Sequence, residues 1–159
     1  MDSPDTPSLL SDGRQSAAAL DIARGTRRML LAAGFASLTE LPLANGRRAD
    51  LVALSDRGEV WIIEIKSSVI DFQVDQKWPE YREFCDRLMF AVAPEFPLDL
   101  LPRDTGWIVA DRFGAEIVRE APSHPLAGAR RKALVNRMAR TAALRLQALA
   151  DPDLKLEWI

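Results

Sequence analysis

The chain has 159 residues, 48% of them apolar and 28% charged, with a formal net charge of −2. This length points to one domain with a sizeable core, and the near-neutral balance excludes a polycation, so any nucleic-acid binding has to use a local basic patch. The single Cys85 excludes an internal disulfide framework and a cysteine zinc cluster and fits a reducing, cytoplasmic setting, while no apolar run approaches the ~20 residues of a membrane span.

In chain order, residues 1–15 are rich in Asp, Ser and Pro and predict a disordered tail, without the basic-then-apolar layout of a signal peptide. Residues 16–159 are then the expected folded domain. Ser16 to Ala33 predicts a first helix with Gly34 as its C-cap, and Gly25 weakens its interior. Arg24, Arg27 and Arg28 gather toward its end, where positive charge suits the helix dipole.

Ala36 to Leu43 predicts a strand. The stretch that follows, RRADLVALSDRGEVWIIEIK from Arg47 to Lys66, predicts two more, rich in β-branched residues and joined by a three-residue Asp56-Arg57-Gly58 turn with glycine left-handed. That turn sets Leu54 opposite Val60, Val52 opposite Ile62 and Asp50 opposite Glu64. With side chains alternating every two residues, Asp50, Glu64 and Lys66 share the end of an apolar face. Facing carboxylates destabilise a sheet unless a positive charge lies between them, and Lys66 or a divalent cation would serve. For the preceding turn, a three-residue Ala44-Asn45-Gly46 loop brings Glu40 into the same row. A two-residue Asn45-Gly46 turn would rotate Glu40 to the other face. The first groups like with like and is preferred.

After Lys66, Asp71 to Gln76 reads as a helical turn. Pro79 favours the first position of a longer helix through Asp86, with Trp78 held outside it. Leu88 to Ala93 predicts a strand parallel to Val60–Lys66. A helical turn at Leu98 to Leu101 and a hairpin of Trp107–Asp111 with Ala115–Glu120 follow. Leu126 to Ala150 predicts a long helix with Arg130, Arg131, Lys132, Arg137, Arg140 and Arg145 and no acid. Helical periodicity places Arg130, Arg137, Arg140 and Arg145 on one side, and Val135, Met138, Ala142, Leu146 and Leu149 on the other. Such a face is either plainly solvated or tracks a phosphate backbone. Leu154 to Ile159 is an apolar ending that could dock on the domain. The expected class is α/β, a mixed β-sheet flanked by helices.

Asp50 followed by Glu64-Ile65-Lys66 on the next strand resembles the Asp…Glu-x-Lys signature of the PD-(D/E)XK nuclease superfamily, with Ala49 where the strict motif has proline. The wider run, TELPLANGRRADLVAL then EVWIIEIKSSVIDFQVDQKWPEYREFCDRLMFAV, is similar to the MmcB-like family of DNA-repair endonucleases, over roughly Ala19 to Glu120. The resemblance implies a restriction-endonuclease-like fold and metal-dependent endonuclease activity on DNA in repair. It implies Mg²⁺ or Mn²⁺ held by Asp50, Glu64 and the backbone carbonyl of Ile65, with Lys66 orienting or helping to deprotonate the attacking water. Burial near a metal can lower a lysine's pKa. Glu40 is a candidate extra acid, and Asp21 is carried over as the acid that related nucleases place on their first helix.

Lys77, Trp78 and Tyr81 are candidate substrate contacts beside the Glu-x-Lys strand, with Trp78 either stacking on a base or capping the core. Arg130 and Arg137 are candidate phosphate contacts. His124 lacks a partner spacing for zinc, and Cys85 lacks the neighbours of a nucleophile. The expected partner is DNA, with other repair proteins and a second copy of the chain as further candidates. The alternative reading is a catalytically silent nuclease-fold module that binds DNA structures or recruits repair proteins.

Overall fold

The computed structural model describes residues 16–156. The expected tail at 1–15 and the last three residues of the apolar ending lie outside them. A six-stranded mixed sheet runs in chain order, β1 (Phe35–Pro42), β2 (Arg48–Ser55), β3 (Val60–Lys66), β4 (Arg87–Val92), β5 (Gly106–Ala110) and β6 (Ala115–Arg119). β3 is parallel to β4 and β4 to β5, and the other neighbours are antiparallel. The α/β class and the parallel β3–β4 pair are as the sequence predicts.

Helix α1 (Ala17–Ala32) begins where Ser16 Oγ accepts the Ala19 N–H at 3.1 Å and ends at Gly34, whose φ is +86°. Its buried residues Ile22, Ala23, Thr26 and Leu30 form one face over the sheet, against Leu51, Ala53, Ile63 and Met89. Gly25 lies on this face, and its missing side chain is what brings the helix close. A Cβ there would stand 1.8 Å from the Asp111 carbonyl oxygen and 2.5 Å from that of Gly114. The glycine that weakens the helix in isolation is required by its packing.

The opposite face packs Val52, Val60 and Ile62 against Tyr81, Phe84, Leu134 and Met138. Between β3 and β4 lie α2 (Val69–Val74) and a 3₁₀ helix (Trp78–Phe84) in place of the longer helix predicted at Pro79. Trp78 belongs to that 3₁₀ helix, with Pro79 in its first turn, where a missing N–H leaves no bond unmade.

The final helix, α3 (Gly128–Ala150), departs from its predicted faces. Leu134 and Met138 are buried, whereas Leu146 and Leu149 are 67% and 66% exposed. Arg145 turns inward instead, donating to the Thr39 and Glu40 carbonyls at 2.6 and 2.9 Å. It reaches β1, an edge strand, and past it the helix has no sheet left to cover. Asp86 ties this layer down: it accepts the N–H groups of Val60 and Leu126, each at 2.8 Å, and holds the Arg131 guanidinium through two bonds of 2.6 and 2.7 Å.

Candidate functional site

The β2–β3 hairpin has the register read from the Gly58 turn. Leu54 faces Val60, Val52 faces Ile62 and Leu51 faces Ile63, and Gly58 has φ +85°. The ladder stops there. Bonded pairs recur every second residue from Ser55–Glu59, so Ala49–Ile65 would come next, and that pair is not made. The Ile65 N–H donates instead to Asp50 Oδ2 at 2.8 Å, and the Asp50 N–H donates to Glu64 Oε1 at 3.2 Å. The strands fork, and the two carboxylates occupy the fork.

Every residue of β3 is buried, Glu64 and Lys66 included. Burial is the largest influence on both acids. It raises Glu64 well above the usual carboxylate range, and the Asp50 charge pushes it further up. Asp50 is raised too, by burial that outweighs its bond from Ile65 and the charge of Lys66. A buried acid beside a half-buried one favours a shared proton or a cation.

Burial alone would lower Lys66, but its Nζ lies 2.6 Å from Asp75 Oδ2, and this bond and charge raise it overall. A carboxylate is paired with this lysine, a partner the sequence reading did not include. Burial works against the charged form of Asp75 as well, and the Lys66 bond prevails to hold it low. Asp75 and Asp71 are absent from the sequence-derived site. Their signal was the spacing Asp71…Asp75 directly after the Glu-x-Lys strand, which is one helical turn. Asp71 Oδ2 accepts the Ser67 N–H at 3.2 Å.

Glu40 keeps the preferred β1–β2 register, with Leu38 facing Val52 and Leu41 facing Ala49, but the Glu40–Asp50 pair itself drops out of the ladder. Glu40 has φ +48°, a left-handed backbone that side chains rarely adopt, and it lies 4.0 Å from Arg48. Both line a cleft of about 350 Å³ with Asp50, Glu64, Lys66 and Asp75. Among the described residues no three His, Cys, Asp or Glu side chains converge as a metal-holding group. The kink at Glu40 interrupts the ladder beside Asp50, and the residue stays in the wall of the cleft. Asp21 is exposed and outside the cleft wall, to which Ser16, the cap of α1, and Ala19 in its first turn contribute.

Tyr81 lines the cleft, donating to the Arg48 carbonyl at 3.0 Å, and burial pushes its phenol up. The half-buried Trp78 stands edge-on to Phe90, the core-capping alternative. Lys77 is exposed and precedes the 3₁₀ helix. Arg130 lies over the Phe84 ring and bonds Glu83 at 3.1 Å, while Arg137 lines a separate groove on α3. Cys85 is buried, its thiol pushed up to about 12, chiefly by burial, which suits packing rather than attack.

A model of the family described as DNA repair protein MmcB-like matches residues 6–153. Among solved structures, the chain is similar to a protein of unknown function from Silicibacter pomeroyi, with 48% identity and a TM-score of 0.86, over 91% of this chain and 99% of that one. No curated protein matches.

Proposed function

Because the chain belongs to the DNA repair protein MmcB-like family, we propose that it is a metal-dependent nuclease of the PD-(D/E)XK type that hydrolyses DNA phosphodiesters. The family's description supports a role in DNA repair. The observation that carries the finer reading is the fork: half-buried Asp50 and buried Glu64 are joined through one N–H···O bond, and Lys66 follows Glu64 on the same strand.

The donor set suits a hard divalent cation. Two carboxylates, both held toward the protonated form by burial, supply oxygen ligands. The Ile65 carbonyl is the natural third ligand, since a strand residue's N–H and C=O point the same way and its N–H already meets Asp50. Bound there, Mg²⁺ or Mn²⁺ would stabilise charge on the phosphate and acidify a water. Hydrolysis forms a bond from the water oxygen to phosphorus and breaks an ester P–O bond, and the leaving oxygen takes up a proton. Lys66, held charged by Asp75, orients the water and offsets negative charge on the phosphate. Tyr81 and Arg48 flank the same cleft.

The test is nicking of plasmid DNA with Mg²⁺ or Mn²⁺. Activity that disappears in folded Glu64→Ala and Lys66→Ala proteins supports the site, and equal activity in those variants overturns it. One observation favours a second reading, a silent module that binds DNA structures or recruits repair proteins: Lys66 is already engaged by Asp75. Salt-dependent DNA binding without cleavage under either metal would select it.

A further inference from the structure

We propose that a groove on α3, distinct from the acid cleft, holds backbone phosphates of duplex DNA and guides the strand toward that cleft. The groove has a volume of about 420 Å³ and runs between α3 and Pro42 at the end of β1. Arg137, Arg140, Asn136 and Thr141 line it, spaced three and four apart on one helical face. Among the described residues no acid lines it, and none occurs anywhere in α3.

What singles out these two arginines is that, among the described residues, they have no polar partner. Arg130 is bonded to Glu83, Arg131 to Asp86 and Arg145 to backbone carbonyls. Arg137 and Arg140 are exposed, and neither makes a hydrogen bond or ion pair with another described residue. Two guanidiniums without a partner among the described residues, beside an amide and a hydroxyl that can each donate as well, form a donor-rich lining for an anion, and guanidinium matches phosphate geometry. On a chain with net charge −2 this is the local basic patch that nucleic-acid binding requires. The groove and the cleft meet the same hairpin: Pro42, in the groove wall, pairs across the β1–β2 ladder with Arg48, which lines the acid cleft. A backbone seated on α3 would pass over this hairpin to reach Asp50 and Glu64.

The proposal rests on DNA being the substrate, but its test does not need cleavage. Full-length Glu64→Gln protein in EDTA is titrated with a fluorescent duplex between 50 and 200 mM salt. Comparisons are Arg137→Ala/Arg140→Ala, Arg137→Lys/Arg140→Lys and Arg103→Ala, each on that background, with melting curves to verify folding. Loss of two phosphate contacts lowers the salt slope by roughly 1.8, so affinity falls about tenfold less across that range than in the parent. The lysine pair retains the slope, and Arg103→Ala, removing an exposed charge elsewhere, leaves it unchanged. Unaltered slope and affinity in the alanine pair overturn the proposal, as does an equal loss in Arg103→Ala or no DNA binding by the parent at 50 mM. Binding through the groove by a protein that fails the nicking test would sink the nuclease reading and leave this one standing.

Discussion

Lys66 Nζ sits 2.6 Å from Asp75 Oδ2, so the lysine of the Glu-x-Lys strand carries its own counterion from α2's C-cap. Asp75 Oδ1 also accepts the Lys77 N–H at 3.0 Å, which fixes the carboxylate in place. A buried ammonium is tolerable only with such a partner, and the pairing keeps Lys66 protonated at neutral pH.

Asp75→Asn removes that counterion and leaves burial as the main influence on Lys66. Its pKa then falls, and the neutral amine forms at lower pH than in the wild type. If Lys66 takes a proton from the attacking water, the rise of cleavage with pH moves to lower pH in this variant. If it acts only as a charge, kcat falls as the amine neutralises. A pH–rate profile of the two proteins distinguishes these outcomes.

Glu64 is raised by burial and by Asp50, so its folded pKa lies above its unfolded one. Its contribution to stability is complete below the unfolded value, near 4.3, and is lost as pH rises through the folded value. Glu64→Gln should therefore melt higher than wild type at pH 8 and equally at pH 4. Millimolar Mn²⁺ should raise the wild-type melting temperature and leave Glu64→Gln unchanged, by linkage of binding to folding. Differential scanning calorimetry at the two pH values, with and without metal, checks both.

Burial opposes the charged form of Asp86, but Arg131 and the Val60 and Leu126 N–H groups prevail and bring it to about 2. Its folded pKa lies below the unfolded one, so its stabilisation is present above pH ~4 and lost as pH falls through about 2. Asp86→Ala leaves the Val60 N–H without its acceptor and Arg131 without its carboxylate, with only the Gly58 carbonyl still accepting from it. It should cost about 3 kcal/mol, measured by urea unfolding at pH 7, with the difference from wild type shrinking below pH 4.

Gly25→Ala gains roughly 1 kcal/mol of helix propensity and loses far more, because a Cβ 1.8 Å from the Asp111 carbonyl forces α1 off the β5–β6 turn. A net destabilisation of about 3 kcal/mol or more is expected, with α1 amides exchanging faster in hydrogen-exchange measurements.

The sequence by itself determined what local rules govern. Gly46 and Gly58 set both hairpin registers, and period-two alternation then put Asp50 and Glu64 at one end of a buried strand pair. Tertiary structure alone decided the rest, because those outcomes depend on contacts between residues far apart in the chain. Arg145 grips the kinked β1 edge at Thr39 and Glu40 from more than a hundred residues away, and the helical pattern of α3 could not show where the sheet beneath it ends. Gly25 reads as a weak point until the turn it touches is known. Asp75 becomes the partner of Lys66 only once α2 folds back over β3, since a charge pair buried at a strand end is chosen by proximity in space.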